Sequence, residues 1–298
     1  MFDGTYTRRT MLRRSLGAVG AGAAAGIAGC SSLNPFGGGA GVYADWLPEP
    51  DDIGDSDHYR FTYLDTEALE ANEDELPDNF DIDSFEDSWN PVDVDWEDTS
   101  MVLFFNAITV IEADFTREDV ADDLEDADYD DDTDHQGHTI YLGPNELRAY
   151  AVGDSTIVLR TAAYGSDPVD SVEAVLDANN GEEDRYGDDS EDMAALTGEL
   201  GGGAIVSGRT MEEIDNDNPD AGRFDHMVAA GSTTTINGET ADRKWVIVYE
   251  EQDDVDTGDL EDWVDANDDG EFEAVDDISY NQNGRKGVVT GTIDTDDL

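Results

Sequence analysis

Cysteine is almost missing from these 298 residues: Cys30 stands alone, so no intrachain disulfide can form. Cations are scarce too, with 15 lysines and arginines against 75 aspartates and glutamates and a net charge of -60. Only Lys244 and Lys286 are lysines, and Arg8, Arg9, Arg13 and Arg14 all precede Cys30. Without a basic patch nothing can neutralise a phosphate backbone, which excludes nucleic acid as a partner. No apolar run reaches the roughly 20 residues that a spanning helix needs. The Gly-x-Ser-x-Gly elbow of a serine hydrolase is also absent. Gly201-Gly202-Gly203 lacks the following Lys-Ser/Thr of a phosphate loop and reads as a turn. Ser155, Ser166 and Ser232 follow turn signals with no base beside them in sequence. No catalytic residue is assigned.

What the chain does contain begins with an address. Arg8-Arg9-Thr10-Met11-Leu12-Arg13 places paired arginines ahead of apolar residues, the twin-arginine pattern, and a weakly apolar Gly/Ala stretch runs from Leu16 to Ala28. Ile27-Ala28-Gly29-Cys30 resembles a lipobox, whose cysteine takes a diacylglycerol. A buried Gly/Ala helix is the bland alternative, and it would have to bury four arginines with no acidic partner near. The expectation is a signal peptide over 1–29, with Arg8 and Arg9 as the export signal, the twin-arginine translocase as partner during export, and lipid on Cys30. Such a protein is anchored to the membrane on the extracellular face of the cell. Stable anchoring takes more than one acyl chain. Residues 30–57 then read as a lipidated, flexible acidic linker, Gly-rich at Gly37 to Gly41 and repelling anionic headgroups from Glu49 to Asp57.

The charge balance describes a solvent. In dilute buffer it would oppose compaction. At multimolar salt the Debye length shrinks to about 2 Å and the repulsion nearly vanishes. Disorder is the competing reading, since a hydrophobic fraction of 38% lies near its border. The apolar residues nevertheless fall in periodic blocks, which argues for a fold.

Period-two runs predict strands at Tyr59–Leu64, Met101–Ala113, His138–Leu142, Leu147–Val152 and Thr156–Thr161. Further strands are expected at Ala204–Ser207, His226–Ile236, Lys244–Glu250, Phe272–Tyr280 and Gly287–Ile293, with Asn237-Gly238 as a hairpin turn. Helices are predicted after Thr116, after Asp167-Pro168 up to Asn180-Gly181, at Ser190–Leu200 and at Thr257–Asp265. The stretch Val102–Ala127 repeats as Trp245–Asn267: strand, acidic turn, helix, with two strands following each. The expected fold class is α+β, two duplicated β-β-α-β-β units with mainly antiparallel sheets. The first unit spans 58–200 with an acidic insertion at 65–100 anchored by Trp89 and Trp96, and the second spans 201–298.

The acidic turn and helix, then His135-Gln136-Gly137-His138-Thr139-Ile140-Tyr141 and Arg148-Ala149-Tyr150-Ala151-Val152-Gly153-Asp154, resemble a set of haloarchaeal twin-arginine-exported lipoproteins. The Asp-rich, Lys-poor composition is similar to that of proteins from extreme halophiles. This resemblance implies an address and a salty solvent, and it brings no activity.

One stretch has ligand spacing. Asp265, Asn267 and Asp269 stand at positions 1, 3 and 5 of a calcium loop, with Gly270 at 6, Glu271 at 7, Phe272 at 8 and Asp276 at 12. Position 12 is usually Glu, the following segment reads as a strand, and an Asp-rich chain matches such spacing by chance. Calcium loop and solvated acidic loop both stay open. His135 and His138, beside Asp132 and Asp134, have the spacing of a transition-metal pair but need further ligands, from which His58 and His226 are the remaining imidazoles. A polar hairpin is the simpler reading. Trp245, Trp263 and Tyr249 fall at core spacing. The sequence thus points to a lipid-anchored, non-enzymatic surface protein with a binding or structural envelope role. The alternatives are a solute-binding lipoprotein of a transporter, which predicts a cleft, and a secreted hydrolase, which predicts a perturbed buried histidine or carboxylate in a pocket.

Overall fold

In the computed structural model, residues 40–54, 57–77, 80, 85–161, 167–215 and 218–298 are described. The expected signal peptide, with Arg8, Arg9 and Cys30, lies outside them.

The period-two blocks pair into one twelve-stranded antiparallel sheet. In chain order its strands are β1 (Arg60–Asp65), β2 (Thr99–Phe105), β3 (Ile108–Ala113), β4 (Asp130–His135), β5 (His138–Leu142) and β6 (Arg148–Val152). They continue with β7 (Thr156–Thr161), β8 (Ile205–Thr210), β9 (Met227–Asn237), β10 (Thr240–Tyr249), β11 (Asp276–Asn283) and β12 (Lys286–Asp294). Across the sheet the order is β11-β12-β10-β9-β8-β1-β2-β3-β7-β6-β5-β4. The fold is α+β, with few helices on a large antiparallel sheet.

Helices cover both faces. α1 is Pro50–Ile53, α2 Thr66–Ala71, α3 Arg117–Asp126, α4 Pro168–Asn180, α5 Tyr186–Asp189, α6 Glu191–Leu200 and α7 Thr257–Ala266. Val172, Val175 and Leu176 of α4 and Met193, Leu196 and Leu200 of α6 pack on one face against Phe61, Leu103, Val158 and Val246. On the opposite face Val120 and Leu124 of α3 and Leu69 of α2 cover β2, β3, β6 and β7, joined by Trp89 and Trp96. Leu260, Trp263 and Val264 of α7 cover β10 and β12 on that same opposite side, with Phe272.

Local chemistry sets the helix ends. Asp167 accepts the Val169 N–H at the start of α4, Pro168 follows it, and Gly181 closes the helix at φ 71. Ser190 caps α6 by accepting from Met193 N. Thr116 precedes α3 without any side-chain cap bond, so the expected capping box there is not made.

Several expectations need correction. Of the linker read over residues 30–57, the described part 40–54 is no linker. Tyr43, Trp46, Leu47 and Ile53 are buried in the core, because an apolar residue every few positions gives this stretch a face to bury. The insertion at 65–100 holds α2, and it seats Trp89 and Trp96 at 1% and 3% exposure, as anchors should be. The strand expected over Met101–Ala113 is a hairpin, β2 and β3, turning at Asn106-Ala107 with φ 40 and 61. The acidic segment Asp130–His135 is the edge strand β4. Phe272 lies before β11 rather than in it, and fills the core beside Trp245 and Trp263.

Candidate functional site

Among the described residues the two helical covers on the second face stop short of each other. Between them β1, β8 and β9 present half-buried side chains in register. Trp245 of β10 stands opposite Ser232 of β9, Ser232 opposite Ser207 of β8, Ser207 opposite Thr62 of β1, and Thr62 opposite Phe104 of β2. Since side chains on paired strands share a face at each register position, this is one row across the sheet: three hydroxyls between two aromatics. The Ser207 and Ser232 hydroxyls lie 3.2 Å apart. One step along the strands the next row places Ile247, Ala230, Arg209 and Arg60 side by side.

Two cavities lie over these rows. The first, about 380 Å³, is lined by Arg60, Thr62, Ser207, Arg209, Trp245 and Trp263 among others. The second, about 400 Å³, reaches over Phe104, Thr109 and Leu159. Both are lined by Arg60 and Thr62, so they adjoin at β1 as two sections of a groove. Each volume is in the range of small-molecule sites, roughly 300–1,000 Å³. The wall beyond Trp245 is fixed from below. Glu271 accepts the indole N–H of Trp245 at 2.8 Å, and the Arg243 guanidinium lies 4.6 Å from the same ring centroid. Gly222 is needed opposite Trp263, since a Cβ there would come within 3.0 Å of its indole nitrogen, and its φ is 61.

A third cavity, about 520 Å³, sits at the end of α5 and is lined by Asp57, His58, Tyr186, Asp189, Ser190, Asp192 and Arg285. Here the Tyr186 hydroxyl meets Thr210 Oγ1 at 2.5 Å and His58 Nδ1 lies 3.3 Å from the same oxygen. The Ser190 hydroxyl is already spent on capping α6. Close by, the carboxylates of Glu49, Asp184 and Asp189 come within 4.8 Å of one another. Hydrogen bonding to Asp189 is the main cause that pushes Glu49 up to about 7, followed by burial and by neighbouring negative charge.

The calcium-loop residues are not gathered. Asn267 donates to the Asp220 and Trp263 carbonyls, Glu271 holds Trp245, and Asp276 opens β11. Among the described residues no three of the carboxylates Asp265, Asp269, Glu271 and Asp276 lie within 4.8 Å of one another. Gly270 also lacks the positive φ expected for the sharp turn at position 6. The segment stops α7 and carries Phe272 into the core.

The histidines are separated as well. His135 and His138 face each other across the β4–β5 turn, yet His135 Nε2 meets Asp177 of α4 at 2.7 Å while His138 Nδ1 meets the Gln136 carbonyl at 3.1 Å. Burial pulls the His138 pKa down, and its Nε2 is buried without a hydrogen-bond partner. His138 lines none of the three cavities above. His226 pairs with Glu213, which raises its pKa. Asp132 is exposed on β4, and Asp134 accepts from Thr139.

Sequence reading missed the groove. Thr62, Ser207 and Ser232 are ordinary polar positions on three separate strands, and only the register brings them into a row. Arg60 and Arg209 did carry a signal, as rare cations placed on the polar side of alternating strands.

No protein-family model matches the chain, and no curated protein does. Among solved structures the chain is similar to crystal form I of TP0453, at TM-score 0.46 and 10% identity over 86% of this chain and 94% of that one. Crystal form III of TP0453 gives TM-score 0.44 and 10% identity over 84% of this chain and 94% of that one.

Proposed function

We propose that this chain is an exported, lipid-anchored, non-enzymatic protein of the outer cell surface in a high-salt medium, and that its folded body binds a small solute. The observation that carries the binding role is the groove: hydroxyls Thr62, Ser207 and Ser232 in one half-buried row, flanked by Trp245 and Phe104 and with no helix over it among the described residues. A structural envelope role gives no reason to line a cavity there with hydroxyls, so the groove favours the solute-binding reading. The hydrolase reading is not favoured, since neither His138, whose pKa burial lowers, nor Glu49, whose pKa is raised, lines any of the three cavities.

The address rests on Arg8, Arg9 and Cys30. The high-salt solvent rests on 75 acidic residues against 15 basic ones. We also read the two halves as a duplicated β-β-α-β-β unit. Support comes from β2-β3-α3 and β9-β10-α7, each a hairpin followed by a helix. Two strands, β11 and β12, follow α7 and four, β4 to β7, follow α3, so the first unit carries an extra strand pair. The last strand of each run, β7 or β12, returns beside β3 or β10. Val120 and Leu124 are matched by Leu260 and Val264 as the buried helix residues.

Fractionation of a halophilic, twin-arginine-competent host expressing the full chain tests the address. Cys30→Ala is expected to move the protein from the membrane fraction to the medium, and Arg8→Lys with Arg9→Lys to retain it inside. A Cys30→Ala protein that stays with the membrane overturns the anchor.

A further inference from the structure

Eleven basic residues follow Cys30, and most are accounted for. Arg117, Arg185, Arg285 and Lys286 pair with Asp154, Asp45, Asp192 and Glu199. Arg148, Arg160 and Lys244 donate to backbone carbonyls, and Arg243 lies over Trp245. That leaves Arg60, Arg209 and Arg223, all exposed, which make no ion pair or side-chain hydrogen bond among the described residues. Arg223 stands alone in the loop before β9, whereas Arg60 and Arg209 line the first cavity. These two are also directly opposite each other on β1 and β8, on the groove side.

Like charges directly opposite on neighbouring strands destabilise a sheet. A chain with 75 carboxylates could place one beside either arginine, and here it places the two cations together. The one carboxylate lining this part of the groove, Glu271, is committed to the Trp245 indole and faces Arg243. The two arginines stand on adjacent strands about 5 Å apart, so their long side chains can bring guanidinium forks to either side of a planar or tetrahedral oxyanion, each offering parallel N–H donors. Short bidentate hydrogen bonds keep their geometry in high salt, where long-range attraction is screened away. Beside the arginines the floor offers the Ser/Thr hydroxyl row, closed at one end by the buried indoles of Trp245 and Trp263 at 3% and 7% exposure, which suits a small ring with hydroxyls on its edge.

We infer that the groove binds a sugar-sized ring compound bearing an oxyanion, carboxylate, sulfate or phosphate, which Arg60 and Arg209 clamp between them. This rests on the solute-binding reading of the groove given above.

The test uses the full chain in multimolar NaCl, followed by tryptophan fluorescence and thermal unfolding. The probes are D-glucuronate, glucose 6-sulfate and glucose 6-phosphate, with glucose as the neutral control. At least one anion is expected to bind more tightly than glucose, and the arms tell carboxylate, sulfate and phosphate apart. Arg60→Gln with Arg209→Gln should weaken that anion by about tenfold to a hundredfold, the weight of one charge-assisted hydrogen bond or more, and leave glucose unchanged. In the absence of probe and in multimolar NaCl, where the net charge of -60 is screened, either single variant should melt no lower than wild type, because neither arginine makes an ion pair or side-chain hydrogen bond among the described residues. Glucose binding as tightly as every anion overturns the clamp and leaves the groove a site for neutral solutes. Failure of all four probes overturns the clamp and the groove reading together. A ligand-free Arg209→Gln that melts lower than wild type overturns the clamp as well, since the arginine would then be a structural contact.

Discussion

Lys244 is 4% exposed, and its ammonium donates to the Glu199 carbonyl beside the Lys286–Glu199 ion pair. Burial pulls its pKa down to about 8 despite the attraction of Glu199, and Lys286 pulls in the same direction. An unfolded chain keeps that proton to about 10.4. Between those values the unfolded state binds more protons, so this group adds stability as pH rises from about 8 to 10. The melting temperature of wild type relative to Lys244→Met should therefore climb over that window; a flat difference would show that burial does not control the group. Glu49 works in the opposite sense. Its folded pKa is raised to about 7, so stability falls as pH rises from the ordinary carboxylate value through 7. Glu49→Gln is expected to melt above wild type at pH 8 and to lose that advantage at pH 5. The effect should be small, because the side chain is partly exposed and screened.

The β2–β3 hairpin turns on Asn106 and Ala107, both at positive φ. A left-handed alanine costs roughly 1–2 kcal/mol, and glycine gives back part of that through its own entropy. Ala107→Gly should raise stability by about 0.5–1 kcal/mol in a denaturant titration. The same turn explains a misreading. Strand alternation from Met101 to Ala113 was visible in the sequence, but Asn-Ala lacks the glycine that usually marks a two-residue turn. Asn237-Gly238 does carry that mark, and the β9–β10 hairpin was readable from it. β4 was hidden for another reason: it is an edge strand of Asp130, Asp131, Asp132 and Asp134, mostly exposed, with no apolar face to give a period. Acidic edges also discourage strand addition from another chain. Gly208 and Gly231 pair across β8 and β9 under α6. A Cβ on Gly231 would lie 2.5 Å from the Ser207 carbonyl oxygen and 2.9 Å from Leu200 Cδ1. Because the first obstacle is backbone, Gly231→Ala should cost about 2–3 kcal/mol, and an unchanged denaturation midpoint would contradict that packing.

Across the whole molecule, charge sets the solvent and register sets the site. With a net charge of -60, self-repulsion is nearly silent at multimolar salt and reaches about 10 Å at 0.1 M. Melting temperature should fall steeply on dilution between those limits. Composition made that readable, along with the α+β class and most elements, because burial periodicity and helix caps are local signals. The groove was not readable. It exists because, among the described residues, the helical covers leave the middle of β1 and β8 without a helix on that face, and because one-residue-accurate pairing aligns Thr62, Ser207 and Ser232. The most direct test of the groove as a binding site is thermal unfolding of the full chain in multimolar NaCl against a panel of small solutes, beside a Ser207→Trp variant that fills the floor. A solute at 100 times its dissociation constant should add about 2.7 kcal/mol to wild type and nothing to the filled variant. A cooperative transition that no solute moves, or one moved equally in both proteins, would contradict a binding groove at this place.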